Sequence, residues 1–145
     1  MHKNKIISVC SNKYLEMRHI SLMSQDFRRN IMFNRQSYLD KLIQAKDSDF
    51  VKVLTGVRRC GKSTLLMLYK DWLLERGVEE DQVIEISYEK MENEPLKDGH
   101  RLHAYLRERI PGQKRVYLLI DEAQEIQGWA KVINSLKVTF NADIY

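Results

Sequence analysis

The sequence predicts an α/β fold with three layers, in which helices cover both faces of a parallel sheet. Two observations lead to this prediction. Apolar runs of strand length alternate with stretches of helical period, and two of those runs lead directly into loops rich in glycine or in carboxylates. At 145 residues, with 43% hydrophobic and 30% charged residues, the chain is long enough for one domain with a buried core.

Apolar spacing and end signals predict four helices. Ser37 is suited to cap the first helix, and Asp98 precedes the third. Gly77 follows the second helix and Pro111-Gly112 follows the third, where such residues end a helix. The fourth begins at Trp129, which we expect to be buried. The predicted helices cover residues 37–46, 62–76, 99–110 and 129–140.

Short apolar runs predict four strands between and after these helices. They cover residues 50–55, 82–88, 115–120 and 142–145. Because a helix lies between each pair of successive strands, we expect parallel strands joined by right-handed crossovers.

Residues 1–31 show no sustained hydrophobic period, and we predict a poorly structured basic extension, with a short helix over 14–22 as the alternative. We expect the folded domain to cover residues 32–145. Residues 1–59 carry a net charge of +7 and residues 60–145 a net charge of −3. The basic half is suited to nucleic acid or is a solvated surface, and no motif of a nucleic-acid-binding module supports the first alternative.

The apolar runs are too short to cross a bilayer or to form the core of a secretory signal, so we predict a cytoplasmic protein with no membrane partner. Two cysteines, Cys10 and Cys60, define no disulfide framework, and a reducing compartment fits them best.

Residues 56–63 read Gly-Val-Arg-Arg-Cys-Gly-Lys-Ser, the G-x-x-x-x-G-K-S pattern of the phosphate-binding P-loop, or Walker A motif. The pattern lies between a predicted strand and a predicted helix, as that loop requires. Its glycines let backbone N–H groups approach phosphate oxygens, and the helix presents its positive end to the same anion. Lys62 is suited to the β- and γ-phosphates and the Ser63 hydroxyl to Mg²⁺. The sequence therefore predicts a nucleotide site.

The candidate nucleotide-binding residues are Gly56, Val57, Arg58, Arg59, Cys60, Gly61, Lys62, Ser63 and Thr64. Arg58 and Arg59 either contact phosphate or a neighbouring subunit, or are solvated charges. Cys60 is interpreted as a small residue at a variable loop position, with an oxidisable thiol beside the nucleotide as the alternative.

A second motif, of Walker B type, ends the apolar run 116–120 in Asp121 and Glu122. The carboxyl ends of parallel strands form the edge where ligands bind, so we expect both carboxylates there. Asp121 is suited to hold Mg²⁺ opposite Ser63, and Glu122 to activate the water that attacks the γ-phosphate. Glu122 and Lys62 are therefore candidate catalytic residues, and Ser63 and Asp121 are candidate metal ligands.

Other polar residues are weaker candidates. Gln124 and Glu125 follow the carboxylate pair and are suited to sense the γ-phosphate. His100 and His103 have a spacing that binds metal, but no third ligand is evident in the sequence and a surface or packing role is favoured.

The chain resembles a prokaryotic family of AAA-type ATP-binding proteins (AAA_14-like) over about residues 32–145. The matching segments are 52–63, 119–125, Gly128-Trp129 and 132–136. The resemblance implies a P-loop ATPase core of the AAA+ (ASCE) type, with ATP as ligand and Mg²⁺ as cofactor. It implies for Lys62, Ser63, Asp121 and Glu122 the roles derived above.

Family members continue beyond the segment 142–145 into the rest of that strand, which ends in a Thr/Ser sensor. A further strand, an arginine finger and a C-terminal domain of unknown function come next. The resemblance also puts this fourth strand between the P-loop strand and the strand that ends at Asp121. We therefore expect a truncated, C-terminally incomplete core that binds ATP, with self-association or the C-terminal domain as its partner.

Alternative functions make distinct demands on the sequence. A GTPase needs an Asn-Lys-x-Asp motif, but the Asn-Lys pairs at 4–5 and 12–13 precede the P-loop and lack the aspartate. A nucleoside kinase needs an arginine-rich lid, which no segment supplies. A nucleotide-dependent interaction module without hydrolysis, or an inactive fragment, is the alternative to an ATPase.

Overall fold

The structure is a computed structural model that describes residues 5–8, 25–110, 112 and 114–145. Its α-helices are α1 (Gln25–Gln44), α2 (Lys62–Glu75), α3 (Gly99–Arg109) and α4 (Trp129–Thr139). Its strands are β1 (Lys5–Ser8), β2 (Lys52–Thr55), β3 (Val83–Ser87), β4 (Val116–Asp121) and β5 (Ala142–Ile144). Short 3₁₀ segments cover Glu80–Gln82, Met91–Lys97 and Ala123–Glu125.

All strand pairs in this part of the chain are parallel, as predicted. One sheet has the order β1-β2 and the other has the order β3-β4-β5. The predicted position of the last strand beside the strand ending at Asp121 is confirmed, because Val116 to Leu118 of β4 pair with Ala142 to Ile144 of β5. Between the described residues of β2 and β5 there is no backbone ladder, and side chains make the contact there.

Successive side chains of β4 point to opposite faces of its sheet and pack in two different core clusters. Val116, Leu118 and Ile120 pack in one core cluster with residues of α3 and α4. Tyr117 and Leu119 point to the other face and pack in a second cluster with residues of α1 and α2. The predicted arrangement of helices on both faces of a parallel sheet is therefore confirmed.

A buried polar cluster joins β2 to β5. Lys52, the first residue of β2, forms an ion pair with Asp143 in β5, and both side chains are fully buried. The Asp143 carboxylate also accepts hydrogen bonds from the Asp47 backbone N–H at 2.8 Å and the Tyr145 hydroxyl at 3.0 Å. The Tyr145 and Tyr69 hydroxyls share a further hydrogen bond at 2.6 Å. This cluster fixes the first residue of β2. The glycine-rich loop follows the last residue of β2, at the other end of the strand.

Two parts of the segment 1–31 have regular secondary structure, whereas the sequence predicts a poorly structured extension there. Residues 5–8 form β1, where Ile7 is only 3% exposed, and α1 begins at Gln25 rather than at a Ser37 cap. Parallel pairing with β2 stabilises a strand too short to show a period in the sequence. The alternative helix over 14–22 lies outside the described residues, and the division of the chain at residue 31 stays a prediction.

The prediction that Trp129 is buried was wrong, because the side chain is 39% exposed. It occupies the first position of α4, next to Gly128, whose φ of +65° turns the chain into the helix. The core contacts of α4 come instead from Ile133 and Leu136, which are buried one and two turns further on.

Candidate functional site

The glycine loop connects β2 to α2, as its sequence position predicts. Gly61 is the N-cap of α2, and its φ of +92° lies in the left-handed region that favours glycine. The Gly61 carbonyl accepts the first helical hydrogen bond from Leu65 N–H at 3.0 Å. No side-chain cap covers the helix start, so the loop leads directly into the positive end of α2.

Lys62 folds back over the loop that precedes it. Its ammonium donates to the carbonyl oxygens of Gly56 at 3.3 Å and Val57 at 3.4 Å. The Lys62 ammonium therefore lies over the backbone at the start of the loop.

The other loop residues divide by exposure. Val57, Arg58, Arg59 and Ser63 are exposed. Arg59 has a φ of +65°, a conformation that few non-glycine residues adopt. Cys60 is partly buried and packs against the core cluster formed with α1 and α2, in agreement with the interpretation of a small residue filling the loop.

The two carboxylates lie at the carboxyl end of β4. Asp121 is 8% exposed and, by strand alternation, shares the sheet face of Tyr117 and Leu119, which pack against α1 and α2. Glu122 adopts a left-handed conformation with φ +57°, so the chain turns sharply after the strand. The Gln124 amide donates a hydrogen bond to the Glu122 carboxylate.

A cavity of about 240 Å³ brings the two motifs together. Its lining includes Thr55, Lys62, Asp121, Glu122, Gln124 and Trp129. Lys62 and Asp121 are 59 positions apart in the chain, so the tertiary fold creates this proximity. The site combines the Lys62 ammonium with the carboxylates of Asp121 and Glu122 at the edge of the sheet where ligands bind in open α/β folds.

Three weaker candidates lie away from this cavity. Glu125 forms an ion pair with Lys97 at 3.1 Å. His100 is exposed on α3, and the His103 ring lies 5.9 Å from the Phe140 ring. Burial against this ring and the nearby positive charge of Arg107 lower the pKa of His103. The described residues contain no group of three or more His, Cys, Asp or Glu side chains placed to hold a metal ion.

Arg35 and Trp129 lie beside the two motifs, and sequence reasoning missed both. The Arg35 guanidinium, on α1, lies beside Gly61, with Nη2 3.3 Å from where a Cβ on that glycine would be. Trp129 lines the cavity instead of filling the core. Neither has a motif spacing that could have identified it, although Trp129 belongs to the segment Gly128-Trp129 that carries the family resemblance.

The fold and the loop between β2 and α2 define the class. An α/β fold with parallel strands and the G-x-x-x-x-G-K-S loop at a strand-to-helix junction is of the P-loop NTPase type. The chain belongs to the AAA domain family (AAA_14), which matches residues 48–145. It therefore contains an AAA-type ATPase-like domain.

One relative is an uncharacterized protein of Haemophilus influenzae. It is 44% identical over 114 residues, which cover 78% of this chain and 28% of the relative. The chain thus spans little more than a quarter of that relative's length. No solved structure matches the chain. In the part of the chain that the structure describes, none of the helices is long and apolar enough to cross a membrane.

Proposed function

We propose that this domain binds ATP together with Mg²⁺ and hydrolyses it to ADP and phosphate. The observation that carries the proposal is the common cavity lined by Lys62 of the P-loop and by Asp121 and Glu122 at the end of β4. In P-loop ATPases these three residue types bind the phosphates, hold the metal and activate water.

Binding would use the loop backbone and the ends of three side chains. The backbone N–H groups of residues 56–64, at the positive end of α2, would surround the phosphates, and the Lys62 ammonium would move from the Gly56 and Val57 carbonyls onto them. The exposed Ser63 hydroxyl and the Asp121 carboxylate are oxygen donors, the kind that Mg²⁺ prefers. Bound Mg²⁺ would offset the negative charge of the phosphate oxygens.

Hydrolysis would depend on Glu122. Its carboxylate would accept a proton from the water that attacks the γ-phosphate. The Gln124 amide, which donates to this carboxylate, would orient it toward the cavity. The backbone of Glu122 is left-handed, so its side chain extends from a sharp turn after the strand. This turn separates Glu122 from the buried Asp121.

The proposal also covers the partner of the domain and the compartment in which it acts. A C-terminal domain of unknown function, or a second copy of the chain, is proposed as the partner, in a cytoplasmic setting. A nucleotide-dependent interaction module that does not hydrolyse ATP is the alternative function, and it differs in one measurable property. Such a module would bind MgATP and release no phosphate.

Replacing Lys62 by alanine tests binding. We expect Lys62→Ala to weaken MgATP affinity at least tenfold in a calorimetric titration, because a charge-assisted hydrogen bond contributes about 1.5–3 kcal/mol. Lys70→Ala is the matched control, since Lys70 lies on the same helix and pairs with Glu85 at 3.2 Å. Wild-type affinity in Lys62→Ala would contradict the proposed site.

Replacing Glu122 by glutamine tests hydrolysis. We expect Glu122→Gln to retain MgATP affinity and to slow single-turnover phosphate release by about 10²- to 10⁴-fold, the usual effect of a general base. Glu125→Gln, at the carboxylate paired with Lys97, is the control and should hydrolyse ATP at the wild-type rate. ATP binding without phosphate release by the wild-type chain would instead support the interaction module.

A further inference from the structure

A guanidinium group from outside the P-loop motif lies against the loop. Arg35 belongs to α1, which packs beside α2, and it precedes Lys62 by 27 residues. A Cβ built on Gly61 would be 3.3 Å from Arg35 Nη2 and 3.8 Å from both Cζ and Nε. Three guanidinium atoms therefore face the one side of Gly61 that any other residue would cover with a side chain.

A phosphate group that approaches the loop backbone at Gly61 would come close to this guanidinium. Glycine is required in phosphate-binding loops partly because a Cβ would keep the anion away from the N–H groups. Gly61 also precedes the first turn of α2, whose free N–H groups attract negative charge. The Arg35 guanidinium thus lies beside the position at which the helix end and the loop favour an anion.

The chemistry of arginine suits this position. A guanidinium is always charged, and its planar set of N–H donors matches two oxygens of one phosphate group. Lys62 supplies a single point charge from the other end of the loop, over the carbonyls of Gly56 and Val57. The two cations approach the loop from different elements, so together they could hold adjacent phosphate groups.

We infer that Arg35 is a phosphate-binding residue of this site, contacting the phosphate group nearest Gly61. The inference rests on the proposed nucleotide-binding function and extends the site to α1. It assigns Arg35 to the β-phosphate, which MgATP and MgADP share and AMP lacks. A role limited to packing α1 against the loop would leave phosphate recognition unaffected.

The experiment measures the affinities of the full 145-residue chain for MgATP, MgADP and AMP. The variants are Arg35→Gln and Arg35→Lys, with Lys62→Ala beside them and Arg101→Gln, an exposed arginine of α3, as the matched control. We expect Arg35→Gln to lower the affinities for MgATP and MgADP about ten- to a hundredfold. Arg35→Lys should lose less, because it keeps the charge but not the paired donors. The affinity for AMP, which has one phosphate group, should change least.

The outcomes separate this inference from the proposed function. If Lys62→Ala loses affinity while Arg35→Gln and Arg35→Lys bind MgATP as the wild type does, the inference is overturned and the proposed function stands. An equal loss for AMP and MgATP would also overturn it, because the effect would not depend on the β-phosphate. If the wild-type chain binds none of the three nucleotides, the proposed function fails and the inference fails with it. Thermal unfolding without nucleotide identifies misfolded variants. If Arg35→Gln is misfolded, the MgATP affinity of Arg35→Lys tests the inference in its place.

Discussion

At the scale of single residues, Asp47 combines an unusual backbone with several polar contacts. Its φ is +60°, and its carboxylate accepts hydrogen bonds from Arg115 Nε at 2.8 Å and the Tyr117 hydroxyl at 3.1 Å. It also pairs with Lys46. Partial burial raises the pKa of Asp47, but the hydrogen bonds from Lys46 and Tyr117 outweigh it and hold the pKa below its ordinary value of 3.8.

A lowered pKa predicts how this residue affects stability with pH. The charged carboxylate stabilises the fold above pH 3.8, and this contribution is lost as the pH falls through the lower pKa of the folded state. We expect Asp47→Asn to lower the free energy of unfolding at pH 7 by about 0.5–1 kcal/mol, since the carboxylate is partly exposed and screened. Asparagine tolerates the left-handed conformation, so the backbone should not change.

Urea unfolding at several pH values checks this prediction. The difference between wild type and Asp47→Asn should shrink as the pH falls through the lowered pKa of Asp47, because the carboxylate is then protonated and both side chains are neutral. Asp49→Asn, at an exposed carboxylate two residues away, provides the control. A difference that stays the same while the Asp47 carboxylate becomes protonated would mean that its charge does not stabilise the fold.

At the scale of elements, α3 and α4 meet at a glycine. Gly99 is the first residue of α3, after Asp98, whose carboxylate accepts a hydrogen bond from Arg101 N–H at 2.9 Å. A Cβ on Gly99 would lie 2.6 Å from Val132 Cγ2 of α4, too close for carbon atoms in contact. The approach of the two helices therefore depends on the missing side chain and not on backbone strain.

This contact predicts that alanine, usually the better helix former, will destabilise the protein at residue 99. We expect Gly99→Ala to cost about 1–3 kcal/mol in the free energy of unfolding, because the methyl group overpacks against Val132. The double variant Gly99→Ala, Val132→Ala should recover part of the loss, which a double-mutant cycle by urea unfolding would measure. A Gly99→Ala variant as stable as the wild type would contradict this packing.

At the scale of the whole molecule, the first strand supports the strand that leads into the P-loop. β1 pairs with β2 in register, with Ile7 beside Leu54. Ile7 also packs in the core cluster with residues of α1 and α2, so it contributes to the same layer that holds the glycine loop. The predicted limit of the folded domain at residue 32 would leave β2 without this neighbour.

Replacing Ile7 by alanine tests whether the N-terminal residues are part of the fold. We expect Ile7→Ala to lower the free energy of unfolding by about 2–5 kcal/mol, the usual cost of emptying a buried isoleucine site. Val138→Ala, at a side chain that is 80% exposed on α4, should change it by less than about 0.5 kcal/mol. Equal stabilities of Ile7→Ala and wild type would instead favour a domain limited to residues 32–145.

Much of the fold could be predicted because its signals are local. The periods of α2 and α4, the cap at Asp98 and the apolar run of β4 depend on neighbouring residues, and the structure has these elements within a few positions of the predicted bounds. The errors occurred where packing overrides local pattern. β1 is four residues long, and α1, which begins at Gln25 before the predicted cap at Ser37, has a weak amphipathic pattern.

The sequence by itself determined the class of the domain and the identity of the two motifs, because glycine spacing and strand-to-helix order act through the local backbone. Only the tertiary structure decided which distant residues meet them. The proximity of Arg35 to Gly61, the buried pair of Lys52 and Asp143 and the exposure of Trp129 are examples. These contacts join residues from separate elements, and the packing of helices on the parallel strands sets the distances between them.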